Sequence, residues 1–299
     1  MKFGLILCTY GRDYSYIKSF INSLLNNKYE QWELIIVDQN EDNSIEEKLN
    51  NDFQYLLQNK TIKYHKVNFK GLSKSRNYGL KFLSDDVDIV AFPDDDCEYP
   101  EDLLLKVVKK FEMEHDIDFI TGISIDKNLG AVSGSKFLSR NNSINFDNIW
   151  LTGISFTIFV KKKAIDFLKN KTAEDVFDER LGVGAGTIFG SGEETDFLFS
   201  LLKAGKKGKY FTDIVVYHPI KKVDRIRNIY YSAGFGAVLR KNFSWHPSII
   251  GLLIRYLLIR PIGGILLGIL KFDFKQAKFY LDTLLYRWMG FIKWKNHEN

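Results

Sequence analysis

Ile89-Val90-Ala91-Phe92-Pro93-Asp94-Asp95-Asp96-Cys97-Glu98-Tyr99-Pro100 is the stretch whose reading decides the fold. Ile89 to Phe92 is short and apolar, the pattern of a strand buried on both faces. Pro100 opens a helical pattern carried by Leu103, Leu104, Val107, Val108 and Phe111. Three carboxylates are thereby expected at the carboxyl end of a core strand, where open α/β sheets hold their ligands. Like charges packed this closely repel unless a cation or hydrogen bonds compensate them. A hard divalent ion with oxygen ligands would do so. The plainer alternative is a solvated acidic turn that caps the following helix.

Upstream, strand and helix patterns alternate. Phe3 to Leu7 reads as a buried strand that ends in Cys8-Thr9-Tyr10-Gly11-Arg12-Asp13, followed by Ile17, Phe20, Ile21, Leu24 and Leu25 at helical spacing. Trp32 to Val37 is a second strand, ending in Asp38-Gln39-Asn40. A helix through Ile45, Leu49 and Leu56 leads to a short strand, Ile62 to Tyr64. A further helix from Lys70-Gly71-Leu72-Ser73 carries Arg76 and Asn77 into the central strand. Four such alternations predict a mostly parallel sheet with helices on both faces. Three polar loops then share one sheet edge: Thr9 to Arg12, Asp38 to Asn40, and the aspartate run. No Gly-x-Gly-x-x-Gly follows the first strand and no Gly-Lys-Ser/Thr loop occurs, so dinucleotide and P-loop readings lose their main support.

The order of five segments is recognisable. Cys-Thr-Tyr-Gly-Arg (8–12), Val-Asp-Gln-Asn (37–40), Gly-Leu-Ser-Lys-Ser-Arg-Asn-Tyr-Gly-Leu (71–80), Asp-Asp-Asp (94–96) and Gly-Glu-Glu-Thr-Asp-Phe (192–197) together resemble the family 2 glycosyltransferases of the GT-A fold. The resemblance spans roughly residues 2 to 218. It implies inverting transfer of a sugar from a nucleoside diphosphate donor, a UDP-sugar, with Mg2+ or Mn2+ as cofactor. Position by position, Thr9, Tyr10 and Arg12 match the loop that holds the nucleoside, and Asp38 the acidic residue at the base. Arg76 matches a basic residue near the nucleotide, against the alternative of a surface arginine on an amphipathic helix. Asp94 and Asp96 fit the pair that binds ribose and metal, with Asp95 the other register. Glu194 falls where the family carries its catalytic base, usually an aspartate, and Glu193 and Asp196 stand beside it. Acidic residues in a first helical turn are also favoured by the helix dipole alone. His218, at the end of the last strand pattern, matches a residue that reaches metal or diphosphate in relatives; a structural histidine is the alternative.

Composition bounds the rest. The chain has 299 residues, 45% hydrophobic and 26% charged, an ordinary globular balance. Two cysteines, Cys8 and Cys97, imply no disulfide framework. The apolar run Phe3 to Cys8 is too short for the apolar region of a secretory leader, so a cytoplasmic location is expected. The loop rich in Asn, Ser and Gly at 126–148 and the glycine-rich run 182–192 read as loops that serve a site, the second as a mobile one.

A catalytic domain is expected over 1–220 and a basic, apolar helical region over 221–299. Basic residues Lys221, Lys222, Arg225, Arg227, Arg240 and Lys241 are interleaved with aromatics. Beside an apolar segment they point to an anionic membrane surface rather than to nucleic acid. Ile249 to Leu270 contains fourteen Ile and Leu residues, which favour insertion by roughly 4–8 kcal/mol in sum. Arg255 and Arg260 oppose it by about 2.5–3.5 kcal/mol each near a bilayer centre. The balance predicts a peripheral protein on the inner face of the cell membrane, acting on a lipid-linked or membrane-proximal glycan acceptor; a homodimer contact through the same helices is the other use of such a face. Two further classes stand beside the transferase: a nucleotidyltransferase, which would want a glycine-rich, lysine-bearing first loop, and a membrane-bound sugar-binding subunit without activity.

Overall fold

Strands β1 (Phe3–Thr9) and β2 (Trp32–Asp38) are buried at every one of their seven positions. Their sequences accordingly lack the polar alternation of a half-exposed strand, as expected for a sheet covered on both faces. They pair in parallel from Phe3 opposite Trp32 to Thr9 opposite Asp38. β3 (Ile62–Lys66) pairs in parallel outside β2, and β4 (Ile89–Ala91) pairs in parallel with the other side of β1. Helices α1 (Tyr14–Leu25), α2 (Ser44–Gln58) and α3 (Leu72–Gly79) make the connections. Asp13 caps α1 by accepting from the Ser15 amide, and Ile17, Phe20, Ile21 and Leu24 share a core with Leu5, Leu7, Leu34 and Ile36. Gly79 lies against the opposite face, where a Cβ would fall 2.5 Å from Ile6 and 3.3 Å from Val37.

The computed structural model describes residues 1–172, 175–221, 224–243 and 247–295. After β4 the chain turns through 100–102, and α4 (Leu103–Met113) begins three residues later than the proline suggested. There follow β5 (Phe119–Asp126), β6 (Ala131–Val132), β7 (Asn142–Ile144), β8 (Ile158–Lys161), α5 (Lys162–Thr172), α6 (Glu193–Lys203) and β9 (Gly208–Tyr217). The sheet order is β3-β2-β1-β4-β8-β5-β9-β7, with β6 on β5. The half that carries the alternating pattern is parallel throughout. The other half is mixed: β8 runs antiparallel to both β4 and β5, while β5 and β9 are parallel. The strand expected over Ile154 to Val160 is shorter because Ser155–Thr157 forms a 3₁₀ turn.

Two compact units emerge. One comprises Met1–Lys70, Lys74–Val176 and Ser200–Lys221; the other comprises Gly71–Ser73, Phe177–Phe199 and Lys222–Asn299. The sequence reading divides the chain at residue 220, so the structure moves 71–73 and 177–199 into the C-terminal unit. The reason is local. The amide of Gly190 donates to Tyr230 (3.2 Å), Ser191 Oγ donates to the Tyr231 carbonyl (3.0 Å), and Lys241 pairs with Asp178 and Asp196. That unit is built on α7 (Arg225–Lys241), α8 (Pro247–Leu253), a π-helical stretch (Ile254–Ile259), α9 (Arg260–Leu270) and α10 (Phe274–Lys293). Helices α7 and α10 meet backbone to backbone, Gly236 against Arg287 and Gly290 against Ala233.

Candidate active site

Chain order reverses about β1: β2 and β3 lie to one side of it and β4 to the other, and a crevice opens at the carboxyl ends of such strands. Cys8 bridges to Asp94 in parallel, which extends the β1–β4 pairing up to the aspartate run. Thr9 Oγ1 donates to Asp95 Oδ2 (2.9 Å) and Arg12 Nε donates to Asp95 Oδ1 (3.0 Å). Both oxygens of Asp95 are therefore engaged by the first loop. Arg12 also reaches Asp96 Oδ2 with Nη2 (3.1 Å), so one guanidinium ties two of the three carboxylates to the first loop.

Asp94 and Asp96 face elsewhere. Arg76 Nη2 lies 3.4 Å from Asp94 Oδ1, and Asp96 Oδ2 takes Lys221 Nζ at 2.6 Å. His218 follows β9, and its Nε2 lies 3.1 Å from Asp96 Oδ1. Its ring is stacked on Phe156, with centroids 4.5 Å apart and planes 11° apart. The His218 amide donates to the Ile125 carbonyl, and Asp126 accepts from the Ile220 amide, which fixes where β9 ends. One donor atom each from Asp94, Asp96 and His218 falls within 4.8 Å of the others. Asp96 Oδ1 and His218 Nδ1 are buried and make no hydrogen bond; the 3.1 Å approach of Oδ1 to Nε2 is not aligned as one. Two carboxylates and an imidazole turned toward one point fit a divalent cation such as Mn2+, which takes oxygen ligands readily.

Electrostatics divide the run. Burial raises Asp94 above the usual carboxylate range, against the pull of Arg76. Burial likewise raises Asp95 despite Arg12 and Thr9. Asp96 is buried too, yet His218 and Lys221 hold it well below the usual range.

Arg76 is 1% exposed, with Cζ 5.9 Å from the Phe92 ring centroid. The alternative of a surface arginine is thus overturned: its face of α3 is covered. Asp38 is fully buried, accepting from Tyr64 Oη (2.7 Å) at one oxygen and from the Asn40 amide and side chain at the other. Tyr10 is 53% exposed, with Lys70 Nζ 4.6 Å above its ring. A cavity of about 590 Å³ adjoins them, lined by Asn40, Lys66, Phe69, Lys70 and Tyr78 among others. A groove of about 900 Å³ around Lys2, Trp32 and Thr61 holds none of the site residues expected from the sequence, so size alone does not locate the site.

Glu194 belongs to the other unit, in the first turn of α6. Glu193 is 5% and Asp196 2% exposed, whereas Glu194 is only partly buried. Asp196 is held by Lys241 Nζ (2.7 Å) and Asn242 Nδ2 (2.8 Å). The glycine-rich run before α6 is pinned: Val183 O accepts from the Leu72 amide, Leu181 O from Ser73 Oγ. Gly192 has φ +95°, and its missing Cβ would meet Val238 at 2.6 Å, so glycine is required there twice over.

Sequence reasoning missed two lysines. Lys221 and Lys241 are counted there among the membrane-facing basic residues, and the structure pairs them with Asp96, and with Asp178 and Asp196; Arg225 pairs with Asp282. Lys221 stands three residues after His218, a spacing that could have signalled a shared site.

The model of glycosyl transferase family 2 matches residues 5–166. No curated protein matches the chain. Among solved structures, the chain is similar to TarS 1–349 of S. aureus in complex with UDP-GlcNAc, at 15% identity and TM-score 0.59, covering 97% of this chain and 92% of that one. It is also similar to the mannosyltransferase PcManGT from Pyrobaculum calidifontis in complex with GDP-Man and Mn2+, at 12% identity and TM-score 0.67, covering 98% and 87%. Both likenesses are ones of fold.

Proposed function

The chain belongs to glycosyl transferase family 2, and from that premise we propose that it is an inverting, metal-dependent enzyme that uses a UDP-sugar and a membrane-proximal glycan or lipid-linked acceptor. The observation that carries the metal-dependent part is the convergence of Asp94, Asp96 and His218 at the crevice beside β1. These three residues would hold Mg2+ or Mn2+, which when bound would neutralise the charge growing on the leaving diphosphate.

The chain's own groups do the remainder. Arg12, Arg76 and Lys221, each already beside a carboxylate of the run, offer cationic donors to the diphosphate oxygens. Tyr10, half-exposed beside Lys70, offers a face to the nucleoside base. Glu194 takes the proton of the acceptor hydroxyl as its oxygen attacks the anomeric carbon. A new glycosidic bond forms, the bond from the sugar to the diphosphate breaks, and its electron pair leaves with the nucleoside diphosphate. The reading of the donor base draws support from the TarS complex with UDP-GlcNAc.

The membrane-proximal reading rests on Ser248–Leu270, a 23-residue helical stretch long and apolar enough to cross a membrane, whose 18-residue apolar window is only 33% buried. Ile259 (62%), Leu270 (74%), Phe272 (82%) and Phe274 (68%) are exposed. Two arginines inside the stretch favour lying in the interface over spanning. The test is a panel of nucleotide sugars scored for nucleoside diphosphate release with and without Mn2+. Release from a UDP-sugar that stops in EDTA is the expected result; release that is indifferent to EDTA overturns the metal's part.

A further inference from the structure

Three arginines of the C-terminal unit converge on one buried tyrosine ring. The guanidinium carbons of Arg260, Arg255 and Arg287 lie 5.0, 5.6 and 6.0 Å from the ring centroid of Tyr256, which is 2% exposed. The backbone arranges this. In an α-helix, residues five apart stand roughly 140° apart around the axis. Across Ile254–Ile259 the helix is π-wound, and the Arg260 amide donates to the Arg255 carbonyl, so these two residues stand nearly one above the other. The next donor in that register would be Pro261, which has no N–H. Arg287 Nη1, from α10, donates to the Tyr256 carbonyl instead, at 2.7 Å. A side chain inserted into the ladder is a recognised cause of such a local rewinding.

Arg225 of the same unit finds Asp282, but among the described residues no carboxylate pairs with Arg255, Arg260 or Arg287. The Nε of Arg287 is buried and has no hydrogen-bond partner. Burial, with Arg260 nearby, lowers the pKa of Arg287 to about 10, so that group remains cationic at neutral pH. Cations gathered and partly desolvated without compensation favour an anion. The planar fork of a guanidinium matches phosphate oxygens in pairs. Around the same turns Ile254 (48%), Leu258 (39%), Ile259 (62%) and Ile262 (41%) are exposed. Apolar side chains flanked by arginine heads suit the depth in a bilayer where phosphates lie just above the acyl chains.

We propose that Arg255, Arg260 and Arg287 form a site for the phosphate group of an anionic membrane lipid. The site fixes how the C-terminal unit meets the bilayer, and it rests on the membrane-proximal reading above. The full chain is floated with vesicles of phosphatidylcholine alone and of phosphatidylcholine mixed with phosphatidylglycerol. Arg255→Gln/Arg260→Gln should weaken binding to the anionic vesicles by about 30-fold, roughly 1 kcal/mol per arginine, and leave binding to neutral vesicles unchanged. Both arginines are exposed, so folding is not at stake, and a thermal melt checks it. Lys275→Gln/Lys278→Gln, which removes two exposed charges of α10, should cost less than about fivefold.

An equal loss in the lysine pair means a diffuse field and overturns the site, as does no loss in the arginine pair; in either case binding to neutral vesicles leaves the membrane reading standing. Binding to neither vesicle overturns both. If millimolar inorganic phosphate releases the protein from anionic vesicles and raises the melting temperature of the unmodified chain but not of the arginine pair, the site takes free phosphate and the lipid assignment fails.

Discussion

Lys241→Met removes a charge from the most enclosed ion cluster of the C-terminal unit while keeping most of the side chain's volume. Lys241 Nζ lies 2.8 Å from Asp178 and 2.7 Å from Asp196, and the three side chains are 26%, 12% and 3% exposed. Burial works against the lysine's charge, yet the two carboxylates raise its pKa above the usual value. Burial works against Asp178 as well, and Arg180 with Lys241 still holds it far below the usual carboxylate range. Removing one partner of a buried pair costs about 3–5 kcal/mol. Here Asp178 keeps Arg180 at 2.7 Å, Asp196 keeps Asn242 at 2.8 Å, and the lysine is a quarter exposed. The expected loss is therefore nearer 2 kcal/mol, a fall of about 4–8 °C in the melting temperature. Circular dichroism melts of both proteins across pH check it. A depressed carboxylate pKa contributes stability that is present above about pH 4 and disappears as pH falls through the folded value. The raised lysine pKa contributes below about pH 10 and disappears as pH rises through its folded value. The gap between the two proteins should hold from about pH 5 to 9 and shrink in acid. A difference under about 1 °C at pH 7, or a gap that widens in acid, would refute the account.

The other expectations are quicker to test. Asp96→Asn or Asp94→Asn should abolish sugar transfer with the protein still folded, measured as nucleoside diphosphate release beside a melt; full activity in both variants would remove them from the metal's ligands. Glu194→Gln should lower turnover by about 10²- to 10⁴-fold with donor affinity kept, by titration calorimetry; if Glu193→Gln is the crippling change with folding intact, the base is the neighbour. Cys8, whose thiol burial pushes up to about 12, and Cys97, also raised well above the usual value by burial, should resist alkylation by iodoacetamide at pH 7.5 in the native protein; rapid labelling of either would contradict their burial.

The carboxylates of the crevice were legible because their strand has no other reading. Phe3 to Cys8, Leu34 to Val37 and Ile89 to Ala91 are apolar without alternation, and only a sheet covered on both faces accepts three such segments in turn. What each aspartate does was not legible. Asp94, Asp95 and Asp96 are chemically identical, and what distinguishes Asp95 is Thr9 and Arg12, more than eighty residues earlier in the chain. The direction of β8 was equally hidden, since four apolar residues carry no mark of parallel or antiparallel pairing. Tyr64 reads as one more strand residue until its hydroxyl is found on Asp38. Lysines are the hardest case: a basic residue near an apolar segment has the same signature whether it meets a headgroup or, like Lys241, closes over two buried carboxylates.

The glycine contacts of α7 bear on how the gene can be divided. Gly234 has the Ser191 backbone where its Cβ would be, Gly190 has Tyr230 at 2.8 Å, and Arg180 stacks 4.0 Å from the ring of Trp294 near the end of the described chain. A stop codon after residue 220, where composition changes, would strip residues 177–199 of the surface they are moulded to. Ending at Asn242 restores α7 but leaves the Ala233 carbonyl without Gly290 and Arg180 without its indole. A fragment ending at either point therefore loses contacts that hold this unit together, and expression work on this protein has to carry α8, α9 and α10 along.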